Sequence, residues 1–388
     1  METAQSSNSP NSSPSSSVSS VALIVGATGM VGLSLAEALN NPSTAGGPWK
    51  VYGVARRPLP TWFPPSLLHK FITLDALNRD ETAEKLSPVA HEVTHVFWVA
   101  FQLREIEEVN ISLNSTMLSN VVAALISAGA NSQLSHVSLQ TGTKQYMGPI
   151  YDPEHGSRLV MHEPPFQEGM PRLPYPNFYY ALEDLLASDL PAGVTYSVHR
   201  SSIIMGATPR SIQNGLLTLA VYATICRYKG LPFRYPGNKY TWEHFCDMSD
   251  SRLLAEQQIW AGTTEGAKNQ AFNCSNGDFF TGKGLWKVLC ELFDVDFVDL
   301  DDAEKFDAME MMSGMGDVWD EIVEKQGLYK TKLEEVNCFH AMTVVTNFKF
   351  QHVCSMNKSR EFGFVGFYDT FKSVRYWVGK MREMKIIP

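Results

Sequence analysis

Three glycines spaced by three, Gly26, Gly29 and Gly32, follow the apolar run Val21-Ala22-Leu23-Ile24-Val25 and open a helical pattern carried by Val31, Leu33, Leu35, Ala36, Ala38 and Leu39. A strand, a glycine turn and a helix in that order are what a dinucleotide pyrophosphate needs. Gly26 permits the tight turn, Gly29 lets backbone approach the phosphates with no Cβ between, and Gly32 lets the helix pack onto its strand. The helix N-terminus adds open N–H groups and the positive end of its dipole. The plainer alternative is a glycine-rich strand-to-helix turn with no ligand.

The second predicted strand ends in Val54-Ala55-Arg56-Arg57-Pro58, so two cations stand where an NAD-preferring unit usually carries an acid for the ribose 2′-hydroxyl. Guanidinium groups match a phosphate bidentately, and this predicts NADPH over NADH. Asp75, after the third strand, is placed either to contact the adenine or to cap the following helix.

Reductases with such a glycine loop commonly pair a tyrosine, hydrogen-bonded to the substrate oxygen, with a lysine at Tyr-x-x-x-Lys spacing. Here Tyr179 is followed four residues on by Glu183, and Tyr180 by Asp184. Either a lysine from another segment serves, or none does. Lys144 stands in Thr141-Gly142-Thr143-Lys144, directly after the fifth predicted strand, at the carboxyl edge where open parallel sheets bind ligands. Tyr179 begins the helix expected to line the same cleft. Tyr180 is its competitor, because successive helical side chains diverge and one of the two faces the cleft.

Those residues need a scaffold. From residue 21 to about 198, short β-branched runs near 21–25, 50–54, 70–74, 94–99, 133–139 and 194–198 alternate with helical patterns near 30–40, 79–86, 109–129 and 177–189. This is the pattern of an α/β, doubly wound parallel sheet of Rossmann type. Beyond residue 201 helical stretches dominate, near 212–228, 250–261 and 284–293, and a smaller, mainly helical C-terminal lobe is expected to bind substrate. The expected organisation is thus a tail at 1–19, a dinucleotide-binding domain at 20–200 and the lobe at 201–388.

Residues 2–20 are nearly all small and polar, too poor in apolar surface to offset chain entropy, and are read as disordered. They show neither a signal-peptide core nor an Arg-rich transit pattern, and no uninterrupted apolar stretch is long enough for a bilayer, so a cytoplasmic protein with no membrane partner is expected. A net charge of −9 over 388 residues, with no basic face, argues against nucleic acid. The six cysteines lack metal-ligand spacing and read as free thiols, so no metal is expected. A homodimer is left open.

At these motifs the sequence resembles the progesterone 5β-reductase and iridoid synthase family of plant 1,4-enone reductases, within the extended short-chain dehydrogenases/reductases. The resemblance covers nearly the whole chain after the tail. It rests on the glycine loop, Val51-Tyr52-Gly53-Val54-Ala55-Arg56-Arg57-Pro58, Thr94-His95-Val96-Phe97, Thr141-Gly142-Thr143-Lys144, Asn177-Phe178-Tyr179-Tyr180 with Glu183-Asp184, and Glu361-Phe362-Gly363-Phe364-Val365-Gly366-Phe367. It implies NADPH-dependent reduction of the C=C bond of steroid enones, iridoid dialdehyde precursors or small enones, with Tyr179 and Lys144 as the catalytic pair. Hydride arriving at the β-carbon drives negative charge onto the carbonyl oxygen, which the Tyr179 hydroxyl would stabilise. Lys144 would lower the phenol pKa and hold the nicotinamide ribose.

The expected cofactor set is Gly26, Thr28, Gly29, Met30, Val31 and Gly32 in the loop, then Arg56, Arg57, Asp75, Ala76, Lys144, Tyr179 and Ile204. The chain departs from the family where a proline and glycine usually follow His-Arg: here His199-Arg200 leads into Ser201-Ser202. Candidate pocket residues are Phe101, Met147, Ile150, Met205 and Phe339, each of which core packing would also explain. Two other activities fit the same dinucleotide fold: carbonyl/alcohol oxidoreduction or epimerisation, and a non-catalytic NADPH-binding regulator.

Overall fold

The computed structural model describes residues 20–210, 213–301, 303 and 306–388. The expected tail, Ile212 at the start of a predicted helix, and Asp302 lie outside the described residues.

Six strands of the expected kind form: β1 (Ser20–Val25), β2 (Trp49–Ala55), β3 (Lys70–Thr73), β4 (His95–Trp98), β5 (His136–Gly142) and β6 (Thr195–Ser201). A seventh, β7 (Gln270–Cys274), joins them from the second half of the chain. The order is β3-β2-β1-β4-β5-β6-β7 and every pairing is parallel, so the expected Rossmann topology is present. β7 pairs outside β6, with Phe272 opposite His199. Its sequence, Gln-Ala-Phe-Asn-Cys, has one bulky apolar residue, and such a short edge strand carries no strong pattern.

Helices cover both faces. α1 (Met30–Leu39) lies on one, and α2 (Arg79–Ala90), α3 (Glu107–Ile126) and α4 (Phe178–Asp189) pack side by side on the other. By length and mean hydropathy alone α3 could cross a membrane. It is instead a core helix of the sheet: Met117, Leu118, Val121, Val122 and Leu125 are buried in it, and its first turns carry Glu107, Asn110 and Asn114 in buried hydrogen bonds.

The C-terminal half supplies α5 (Gly215–Lys229), α6 (Ser251–Thr263), α7 (Gly282–Phe293), α8 (Phe339–Thr346) and α9 (Thr370–Glu383). α6 packs beside α1 against the sheet, so this half completes the nucleotide fold as well as forming the lobe. In the lobe α5 is buried from Gly215 to Cys226, and Trp286 of α7 stacks on Phe233 at 3.9 Å. A short parallel pair, Ile203–Met205 with Met248–Asp250, leads the chain from the sheet edge into the lobe.

Candidate functional site

A cavity of about 230 Å³ opens where the carboxyl ends of β1, β4, β5 and β6 meet the lobe. One end is lined by Gly29, Met30 and Val31 and the other by Met342, Val345 and Phe348. The point between β1 and β4, where chain order reverses, is the crevice in which open α/β sheets take their ligands.

The glycine loop has the geometry that a dinucleotide requires. Gly26 holds φ +98°, and a Cβ there would lie 2.9 Å from the Ala100 backbone nitrogen. A Cβ on Gly32 would lie 2.3 Å from the Gly26 carbonyl oxygen, so helix and turn touch backbone to backbone. At Gly29 a Cβ would meet only the Gly26 oxygen, at 3.3 Å, and α1 begins there with no side chain capping its N–H groups. Further along, Gln140 Oε1 and Thr141 Oγ1 are buried in the cavity wall with no partner among the described residues. Buried polar atoms of that kind are normally satisfied, and a bound ligand with polar edges would do it. The residues present therefore fit the expected group.

Around that loop, Thr28 is half-buried, and Met30, Val31 and Ile204 line the cavity. Arg56 and Arg57 are exposed just past the end of β2 and make no hydrogen bond or ion pair among the described residues. Asp75 takes a local role, accepting from the Leu77 N–H at 3.1 Å, while the cap of α2 is Asn78, which accepts from Glu81 N–H at 3.1 Å. Ala76 is buried beside it.

Tyr179 and Lys144 meet in the wall of the cavity. Asn177 caps α4 by accepting from Tyr179 N–H at 3.0 Å, and its amide donates to the Lys144 carbonyl at 3.0 Å, so one side chain joins the two segments. The Lys144 ammonium lies 5.3 Å from the centre of the Tyr179 ring and 4.1 Å from that of Phe178. The Tyr179 hydroxyl sits against Gly142, where an added Cβ would approach it to 3.2 Å; a side chain at 142 would crowd it. That hydroxyl has no hydrogen-bond partner among the described residues and opens on the cavity.

Burial pushes the Tyr179 phenol above its usual range, with Glu107 and Tyr151 adding to the rise. Lys144 is itself pushed down to about 8, burial outweighing the opposing pull of Glu107 and Asp152. Its ammonium donates to Glu107 Oε1 at 2.5 Å rather than to the phenol. The same oxygen accepts from Phe178 N–H at 2.8 Å.

Tyr180 is engaged elsewhere. Its hydroxyl donates to the Gln145 carbonyl at 2.8 Å and accepts from Leu173 N–H at 3.0 Å, which leaves Tyr179, of the two neighbours, as the one that faces the cleft. Among the candidate pocket residues Phe101, Met147 and Ile150 line the cavity. Met205 and Phe339 do not. Both are buried in the core of the lobe, Phe339 at 6.1 Å from the Tyr222 ring, because the short strand and the helix that carry them turn these side chains inward.

Several cavity residues escape sequence reasoning. Tyr151 presents a second phenol, raised to about 12 by burial. His352 lines the lobe side and meets Thr143 Oγ1 at 2.8 Å through Nε2. Behind it the buried Asp247 accepts from Ser202 Oγ at 2.6 Å. Ser202, the departure from the family run, thus takes part in a polar cluster with Asp247 and His352. Glu107 stood in the acidic stretch Glu105-Ile106-Glu107-Glu108, which looks like an ordinary helix start.

Comparison with known proteins gives a consistent result. Residues 22–388 match the family described as the PRISE-like Rossmann-fold domain. The (S)-8-oxocitronellyl enol synthase CYC2 of Camptotheca acuminata is 48% identical, over 94% of this chain and 93% of its own. The 3-oxo-Delta(4,5)-steroid 5-beta-reductase of Arabidopsis thaliana is 46% identical, over 94% and 92%. Among solved structures, the UDP-glucose 4-epimerase of Thermotoga maritima superposes with TM-score 0.61 at 14% identity, covering 94% of this chain and 99% of that one, a likeness of fold.

Proposed function

The chain belongs to the PRISE-like Rossmann-fold family, and from that premise we propose that it is an oxidoreductase that reduces the C=C bond of α,β-unsaturated carbonyl compounds with NADPH. The observation that carries this reading is the Tyr179 hydroxyl, without a hydrogen-bond partner among the described residues, in the wall of a cavity that the glycine loop also lines. The bound dinucleotide would supply hydride to the substrate β-carbon.

The protein's part is to make the enolate oxygen welcome. A carbonyl placed at the Tyr179 hydroxyl gains a donor whose hydrogen bond strengthens as charge develops there, which lowers the barrier more than the ground state. A phenol held above its usual pKa stays protonated and keeps that proton available for donation. Lys144 contributes a positive charge beside the Tyr179 ring, in a wall that includes the buried Phe178. Gln140 and Thr141 keep buried polar atoms without a partner among the described residues in the same wall, and the exposed Arg56 and Arg57 would receive a 2′-phosphate. Solvent would protonate the α-carbon.

The deciding experiment is incubation with NADPH and 2-cyclohexenone. Oxidation of NADPH with formation of the saturated ketone supports the reading. An allylic alcohol would mean carbonyl reduction, and tight NADPH binding without turnover over a panel of enones would mean a binding protein.

A further inference from the structure

The carboxylate of Glu107 belongs to neither partner of the catalytic pair, yet it touches both segments that carry them. It is 2% exposed, and Lys144 is 8% exposed. Oε1 takes the Lys144 ammonium at 2.5 Å and the Phe178 N–H, the residue before Tyr179, at 2.8 Å. Oε2 accepts from Asn110 Nδ2 at 3.1 Å. Its own backbone N–H donates to Asp152 Oδ2 at 2.9 Å, which anchors the start of α3 to the loop beyond Lys144. Every oxygen is therefore in use, and the group sits at the N-terminus of α4, where a negative charge is favoured.

An ammonium taken out of water into a wall of aromatic rings would shed its proton unless an opposite charge held it. We propose that Glu107 is the positioning residue of this site: it keeps Lys144 protonated inside the cavity wall and fixes the ammonium relative to the helix that bears Tyr179. The proposal rests on the enone-reductase reading and assigns the charge state that this reading needs. The groups facing Lys144 are Glu107 from α3, Asp152 from the following loop, itself paired with His155, and Tyr179 from α4. Of the two carboxylates Glu107 alone contacts the ammonium and is the larger influence.

The test compares the unsubstituted chain with Glu107→Gln and Glu107→Asp. Acylation of Lys144 by trace acetic anhydride, followed by mass spectrometry across pH, reads the protonation midpoint without any turnover. In the unsubstituted protein it should fall near 8. In Glu107→Gln it should drop by about 1 to 3 pH units. Turnover of NADPH with cyclohexenone should then be lost more at pH 8 than at pH 6, a split that a merely structural defect would not give. Glu107→Asp withdraws the carboxylate by one methylene and should move the midpoint less, which keeps the test usable if the glutamine variant does not fold. An unmoved midpoint in a folded variant, or equal losses of turnover at both pH values, would overturn the proposal. A shifted midpoint in a protein that reduces no enone would sink the proposed function and leave the Glu107–Lys144 relation standing.

Discussion

The two walls of the cavity are built differently. On the sheet side Lys144, Tyr179, Ser201 and Thr141 stand at strand ends or a helix start, held from behind by Glu107, Asn177 and backbone hydrogen bonds. On the lobe side α8 and the segment after it offer Ala341, Met342, Val345 and Phe348, with His352 and Gln213 among the few polar groups. The sheet wall fixes directions, because strand ends are braced by neighbours in register. The lobe wall fixes volume, because apolar side chains are placed by packing alone and select by shape. On the proposed function, chemistry and specificity would be carried by separate parts of the chain.

Substitutions break or sharpen that contrast. The largest effect is expected on the sheet side: Tyr179→Phe should lower kcat for cyclohexenone by about 10²–10³-fold, the usual loss for one oxyanion donor, while the NADPH dissociation constant stays within about twofold. Near-normal turnover would remove Tyr179 from its role. Next is the cofactor rim. Replacing Arg56 and Arg57 together by Ala should raise KM for NADPH by about tenfold or more and leave KM for NADH nearly unchanged, since charge-assisted contacts to a phosphate are lost. Equal changes for both cofactors would refute a 2′-phosphate site.

A smaller effect is expected where the cavity wall turns toward the lobe. Tyr151→Phe deletes a hydroxyl with no hydrogen-bond partner among the described residues. It should change KM for enones carrying a second oxygen by several-fold, about 1 kcal/mol, and leave simple enones alone. A fall in kcat for all substrates would instead place Tyr151 in the chemistry. The smallest effect on activity belongs to Tyr180→Phe: kcat should stay close to normal, and thermal unfolding should show a loss of about 1–2 kcal/mol, because the hydrogen bonds to Gln145 and Leu173 go. A large drop in kcat with unchanged stability would reverse the roles of the two tyrosines.

Much of the nucleotide half was legible because its signals are local. Gly26, Gly29 and Gly32 declare a backbone geometry within a single turn, and the apolar runs of β1 and β2 could be read without knowing their neighbours. β7 was not legible, since Gln270–Cys274 is a short edge strand whose partner, β6, lies about seventy residues earlier. The same holds for Met205 and Phe339: side chains of cavity type in sequence, they turn into the lobe core, and only the packing of the short strand and α8 says so.

By itself the sequence determined the parallel sheet, the glycine turn after β1 and the two segments that bring Lys144 and Tyr179 to the cavity. These follow from residue types at short range, where backbone sterics and hydrophobic period leave few choices. Tertiary structure alone decided that Lys144 rests on Glu107, that Tyr180 turns away while Tyr179 opens on the cavity, and that Ser202 reaches Asp247 and His352. The physical reason is that a buried charge or hydroxyl takes its partner from whatever distant segment the fold brings within about 3 Å, and chain order does not encode that distance.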